Sequence, residues 1–234
     1  PTNQDFGTVK GFAFSLDISR TSYASLSLDY TFSIAEGTGS STTSSYIAAF
    51  RNINPPGEVP KVIAPLDFDQ RHTGILILDF YVPKGEFGWA EMLGANFLIS
   101  FASGRPYTPL ETQNLIQNDS NYGDTKGYVN SSFGPGTFRV DFKLEKSFQV
   151  GSSTVITPYL WVENLFETVN EVNVWRSTGS GYTTDYLTTE EGKKTSRANG
   201  SDWTNDYISK ELDPDNFGIP RLIKLGLKIN FASL

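Results

Sequence analysis

The stretch TFRVDFKLEKSF, from Thr137 to Phe148, alternates apolar and charged side chains along most of its length. Its even positions from 138 to 144 are all apolar, and the odd positions between them carry the charged residues Arg139, Asp141, Lys143 and Glu145. Because successive strand side chains point to opposite faces, this period of two predicts a strand with one apolar and one charged face. Soluble β-sandwiches and membrane β-barrels both contain such strands, so the stretch alone leaves both open.

Composition excludes several classes of protein. The chain has 234 residues, no cysteine, one histidine, 14% aromatic residues and a net charge of −7. The lack of cysteine excludes a disulfide scaffold and thiolate metal sites, and an acidic chain without a basic cluster predicts no nucleic-acid partner. No run of about eighteen apolar residues exists, which excludes a transmembrane helix. The chain begins at Pro1, and we interpret it as a mature or truncated product.

Six further stretches alternate in the same way. The first two are separated by a short polar break, which predicts a β-hairpin. The run beginning at His72 is less regular, since Ile75 and Ile77 share a face with Asp79, and Pro158 places a defect in the run VITPYLWVENLF. In chain order the stretches are VKGFAFSLDIS, YASLSLDYTFSIA, HTGILILDFYV, WAEMLGANFLISFA, VITPYLWVENLF and PRLIKLGLKINF.

The lengths of the strands and of the segments between them favour a membrane barrel. The runs are about eleven to thirteen residues long, enough for a tilted strand to cross a bilayer, whereas sandwich strands usually have about five or six. The connections alternate short and long, and we expect the long outside loops at about 36–66, 103–136 and 167–216. Outer-membrane barrels sort their loops in this way. Since such barrels have an even strand number, seven strands predict the C-terminal part of a larger barrel, forming one domain over 1–234.

Four motifs resemble the C-terminal barrel of TonB-dependent outer-membrane receptors, most closely the large receptors of Bacteroidota-like bacteria. Three of them are FDQRHT (68–73), SGRPYTP (103–109) and ENLFETVN (163–170). The fourth is the closing strand, which is similar to the signal that the barrel-assembly machinery recognises. Its signal residues are Lys224, Gly226, Ile229 and Phe231. The likeness covers nearly the whole chain, and it departs from the family where three residues follow Phe231.

The resemblance implies a transporter of about 22 strands whose lumen is closed by a plug domain. The plug lies outside this chain, and its partners would be the remainder of the barrel, the plug, a TonB-type energy-coupling protein acting through the plug, and outer-membrane lipid. The resemblance leaves undecided whether a surface lipoprotein, acting as a lid, is a further partner. The implied function is energy-coupled uptake of a scarce solute, such as a siderophore, vitamin, glycan or peptide, at the bacterial outer membrane. Two alternatives stay open: a secreted soluble all-β binding or adhesion module, and a passive porin.

The residues do not predict an enzyme or a cofactor. Nucleophile-elbow, P-loop and Rossmann motifs are absent from the sequence. We interpret the strand charges as lining a water-filled lumen; they are Asp17, Asp29, Arg139, Asp141, Lys143 and Glu145. The oxygen-rich stretches NDSNYGD (118–124) and DPDN (213–216) could hold Ca²⁺, although ordinary Asx turns are the stronger interpretation.

Aromatic residues in polar surroundings are the candidate ligand contacts of the loops. Such rings stack on sugars, peptides or chelates, and packing within the loops is the equal alternative. The candidates are Tyr107, Trp175, Tyr182, Tyr186, Trp203 and Tyr207.

Overall fold

A computed structural model describes residues 6–40, 62–112, 114–116, 124–151 and 153–231. Antiparallel β-sheet is the main regular structure of these residues, and one helix, α1, spans Glu190–Glu211. Short 3₁₀ turns occupy Gly88–Ala90, Tyr186–Thr188 and Pro214–Asn216. The strands are β1 (Gly7–Ile18), β2 (Ala24–Gly37), β3 (Ala64–Pro65), β4 (His72–Tyr81), β5 (Leu93–Ala102), β6 (Pro106–Tyr107), β7 (Ser132–Phe133), β8 (Thr137–Lys146), β9 (Phe148–Val150), β10 (Thr154–Glu163) and β11 (Leu222–Phe231).

The long strands form one meander. Their order in the sheet is β1-β2-β4-β5-β8-β10-β11, and every neighbouring pair is antiparallel. Because each long strand pairs with the next one along the chain, the short connections all lie at one end of the sheet and the long connections at the other. We call these the turn end and the loop end.

The structure corrects the sequence prediction in two places. Among the described residues there are eleven strands, not seven. The seven predicted runs are the long strands, and the additional β3, β6, β7 and β9 have two or three residues, too few for alternation to show. The second correction is α1, which lies inside the segment 167–216 that was expected to be loop.

The described part of the chain is an open sheet and does not close into a barrel. Among the described residues, β1 pairs with β2 alone and β11 pairs with β10 alone, so neither outer edge has a strand partner there. A strand edge exposes unpaired N–H and C=O groups that can pair with another strand. No described helix is both long and apolar enough to cross a membrane.

Strand register sorts the side chains into two faces. Residues directly opposite each other share a face, so Leu26, Leu78, Phe97 and Phe142 form one apolar row across four strands. Neighbouring rows on this apolar face are also hydrophobic, and many of their side chains are exposed, such as Phe14 at 50%. The opposite, polar face carries most of the strand charges, while Lys10, Glu36 and Lys146 lie on the apolar face near the strand ends. One face of the sheet is therefore broad and hydrophobic, and no other part of the described structure packs over it.

The compact hydrophobic core lies in the loops and not on the sheet. Leu115, Tyr186 and Tyr207 are almost fully buried, and Trp175 and Trp203 pack against them. Helix α1 supplies two of these rings, and its N-cap is Thr189, whose side chain accepts a hydrogen bond from the Gly192 amide. The loop end thus carries a small folded cap.

Candidate functional site

The charges of β8 form a self-neutralising row on the polar face. Arg139 pairs with Asp141 at 2.5 Å, and the Glu145 carboxylate accepts from both Lys143, at 2.7 Å, and Lys228, at 3.2 Å. The ring of Tyr159 lies 5.5 Å from the Lys143 ammonium. Opposite charges two residues apart on one strand face thus compensate each other, as expected for a polar surface in contact with water.

The aspartates of the first hairpin lie on the same face but bind hydroxyls instead of cations. Asp17 accepts a hydrogen bond from Ser27 and Asp29 accepts one from Ser15, each at 2.6 Å and each across the β1–β2 pair. The register of the sheet carries this face from β1 through to β8. The water-filled lumen that we predict for these groups stays a prediction.

Asp141 differs from the other strand charges because it is buried, at 6% exposed. Besides Arg139 it accepts the backbone N–H of Asn164 at 2.9 Å. Asn164, itself 1% exposed and in a left-handed conformation, donates from its side chain to the carbonyls of Thr168 and Ile219. This network holds the chain as it leaves β10, so Asp141 anchors the loop end as well as contributing charge.

The motifs that carry the family likeness supply further loop anchors, which the sequence interpretation did not single out. Asp69 of FDQRHT is fully buried and accepts the Ala35 backbone N–H at 2.9 Å. Asn170 of ENLFETVN accepts from the Phe138 N–H at 2.7 Å and donates to the Phe138 carbonyl at 2.9 Å, as a strand partner would. Asp and Asn side chains can hydrogen-bond to the backbone of nearby loops, so an Asp or Asn placed beside a strand end is the sequence signal that could have identified these anchors.

The closing strand β11 places its signal residues on both faces. Lys224 pairs with Glu163 at 2.8 Å on the polar face. Gly226 lies beneath Tyr159, because a Cβ atom at this position would stand 2.3 Å from the Tyr159 ring. Ile229 and Phe231 are on the apolar face, 49% and 75% exposed. Recognition of this strand by assembly machinery stays a prediction.

The candidate aromatic residues separate into two groups. Trp175, Tyr186, Trp203 and Tyr207 belong to the core of the loop cap. Burial is the main reason that the pKa of Tyr207 is raised to about 12. The hydrogen bond between Tyr207 and Thr184 opposes this shift, and the negative charge of Glu211 adds to it. Their contact with a ligand stays a prediction; the rings of Tyr186 and Tyr207 are buried, and those of Trp175 and Trp203 are partly buried.

The other two aromatic candidates are accessible. Tyr182 is 46% exposed and packs against Phe217 at 4.7 Å between ring centroids. Tyr107 lies on β6, and its hydroxyl stands against Gly179. Tyr107 also lines a cleft of about 570 Å³ at the loop end.

This loop-end cleft brings together residues from all three long connections. Arg105 and Arg176 line it, and neither side chain forms an ion pair with any described residue. The nearby carboxylate of Glu171 is already occupied by the Ser180 hydroxyl and the Gly181 N–H. Asp67 also lines the cleft, and its carboxylate accepts a hydrogen bond from the Asn130 side-chain amide. The lining thus holds two arginines and two carboxylates without a direct ion pair between them, and the guanidinium groups are available to a carboxylate or phosphate. Arg105 falls inside the SGRPYTP motif, yet the sequence interpretation did not select it.

The proposed calcium stretches show no cation site in the described residues. DPDN forms a 3₁₀ turn in which the Asp213 carboxylate accepts the Asp215 N–H at 2.9 Å. The other stretch lies outside the described residues except for Asp124. Within the described ranges, no group of three or more His, Cys, Asp or Glu side chains is placed to hold a metal.

Comparisons with known proteins return no match, either to a protein-family model, to a curated protein or to a solved structure. The likeness to TonB-dependent receptors therefore depends on the four motifs quoted above.

Proposed function

We propose that this chain is part of an outer-membrane β-barrel receptor that takes up a scarce solute, with its apolar sheet face in lipid and its polar face toward the lumen. The observation that carries the proposal is the pairing of one uncovered apolar face with one charged face across the whole meander. A soluble sandwich would bury such an apolar face beneath a second sheet. The described structure has no second sheet over it.

The apolar face has the height and layering of a membrane band. Along β8 and β9 this face runs from Phe138 to Phe148, ten residue steps or roughly 33 Å of strand at about 3.3 Å per residue. A tilt of about 40° reduces this to about 25 Å, the height of the apolar band of outer-membrane barrels. The side chains between these limits are Val140, Phe142, Leu144 and, next to Phe148, Lys146. Aromatic residues at both limits correspond to the belts found at membrane–water interfaces.

An aromatic row marks the loop-end limit of this band. Register aligns Phe14, Tyr30, Gly74, Phe101 and Phe138 across five strands. The Phe101 ring covers Gly74, where a Cβ atom would lie 2.4 Å from it, and stacks 6.4 Å from Tyr30. The row is therefore continuous, with the glycine making room for a neighbouring ring.

The loop end suits solute contact. The anchors Asp69, Asn164 and Asn170 fix the loops on the strand ends, and the cleft with Arg105 and Arg176 opens among them. We propose that an anionic group of the solute binds these arginines before transport. The open edges of β1 and β11 require further strands, since unpaired backbone groups are not tolerated in lipid.

Dependence on detergent tests this proposal. Purified from its complete gene, the protein is expected to stay monodisperse in detergent micelles and to aggregate once the detergent is removed. If it stays monodisperse in plain buffer and melts cooperatively, the membrane proposal is wrong and the soluble module takes its place. The complete gene also separates a receptor from a passive porin, because only the receptor needs a plug domain and a coupling segment before residue 1.

A further inference from the structure

The turn end of the apolar face carries two lysines whose charges are not neutralised. Lys146 follows Leu144 on the apolar face of β8, opposite Leu93, and Lys84 projects from the exposed turn after β4. Lys146 donates to the backbone carbonyl of Glu91, and Lys84 donates to the side-chain oxygen of Gln149. Both acceptors are neutral, and neither ammonium forms an ion pair with a described carboxylate.

These lysines line one cleft of about 640 Å³. The acidic residue of its lining, Glu91, accepts the Gly85 N–H at 2.8 Å, so the lining holds two cations and one carboxylate. Such a cleft favours a singly or doubly charged anion.

The same cleft has a strongly apolar rim. Trp89 is 85% exposed and Phe148 is 49% exposed. Phe148 pairs with Ile156 on the apolar face, and the Lys146 ammonium lies 5.5 Å from its ring. An exposed tryptophan beside lysines, at the limit of an apolar band, is the arrangement found at the headgroup level of a bilayer.

We propose that this cleft binds the phosphate of an anionic glycerophospholipid, with Lys84 and Lys146 as its cationic contacts and the acyl chains lying along the apolar face beyond Leu144. The proposal rests on the membrane function above, and it adds a specific lipid site at the turn end. The cleft is continuous with the apolar band, which favours a lipid over free phosphate. Acyl chains can contact the exposed side chains of Trp89 and Phe148, whereas a free anion gains nothing from them.

Native mass spectrometry of the detergent-solubilised protein, expressed from its complete gene, tests the site. Phosphatidylglycerol and phosphatidylcholine with identical acyl chains are titrated separately, and bound lipid is counted. We expect phosphatidylglycerol to be retained more strongly. The variant K84Q/K146Q is expected to bind it about thirtyfold more weakly, at about fivefold per lysine near an anionic headgroup. The matched control K126Q/K193Q removes the same charge from the loop end and should bind normally.

Four outcomes overturn the lipid site. Equal retention of both lipids, or normal binding by K84Q/K146Q, refutes the lipid site. The membrane proposal is unaffected by either result as long as the protein still needs detergent. Displacement of the lipid by millimolar inorganic phosphate identifies a phosphate site instead. Monodispersity without detergent refutes the membrane proposal and the lipid site together. If the double variant does not assemble, K84Q alone, in an exposed turn, is expected to show about a fivefold loss.

Discussion

A charge at Phe142 should be far more costly than the loss of one at Lys143. Phe142 lies near the middle of the apolar band, in the row that contains Leu78 and Phe97, and its ring is 4.7 Å from that of Phe97. Placing arginine at the midplane costs about 2–4 kcal/mol, and losing the ring pair adds about 0.5–1.5 kcal/mol. Phe142→Arg should therefore destabilise by about 2.5–5.5 kcal/mol in lipid.

The neighbouring Lys143→Gln is the matched control, because its side chain points to the opposite face and pairs with the half-exposed Glu145. Its expected cost is about 0–1 kcal/mol. Phe142→Ala measures the packing loss without a charge. The assay is equilibrium urea unfolding of the complete protein in thin-bilayer vesicles, followed by tryptophan fluorescence. If Phe142→Arg costs no more than Phe142→Ala, the lipid-facing assignment of this row is wrong.

Three further substitutions test the packing of the sheet and cap. Gly226→Ala should destabilise by about 1–3 kcal/mol because its Cβ collides with the Tyr159 ring, and a double-mutant cycle with Tyr159→Ser should remove most of that cost. Asn170→Ala should cost about 1–3 kcal/mol through two lost bonds to Phe138, and an unchanged urea midpoint would contradict this. Folding raises the pKa of Tyr207 to about 12, so the contribution of its neutral hydroxyl to the free energy of unfolding is complete below about pH 10 and is lost between about pH 10 and 12. Tyr207→Phe should remove this loss of stability at alkaline pH, as followed by far-ultraviolet circular dichroism.

The long strands could be predicted because their side chains repeat a simple signal. One face must meet apolar material along ten or more residues, so alternation such as that from Phe138 to Leu144 persists long enough to be recognised. The same signal correctly groups Ile75 with Asp79, since register places both on the polar face of β4. Strands of two or three residues are formed by loop hydrogen bonds and leave no such pattern.

Helix α1 could not be predicted from periodicity because its sequence is polar all around, and Gly200 interrupts it with φ at 86°. What holds it is tertiary: Tyr207 and Trp203 pack in the cap, and Glu211 accepts from the Thr184 N–H at 2.6 Å. Those partners lie more than twenty residues away, beyond the reach of a local pattern.

For the candidate site, the sequence predicted which charged residues share a face of the sheet, but not which loop residues meet in space. Charges such as Lys143 and Glu145 were placed on one face by alternation alone, and register brings Lys228 to them from β11. The cleft with Arg105 and Arg176 depends on three long loops meeting, which no spacing within one loop reveals.

The proposed receptor requires the loop end to face outside the cell and the turn end to face the periplasm. These 234 residues contain no cysteine, and labelling of the unsubstituted protein gives the background against which each introduced cysteine is measured. Glu190→Cys lies at the start of α1 with a 94% exposed side chain, and Glu86→Cys lies in the exposed turn after β4. With a maleimide too large for general porins, intact cells should label at position 190 only, and position 86 should label after the outer membrane is permeabilised. Equal labelling of both positions on intact cells would contradict the account.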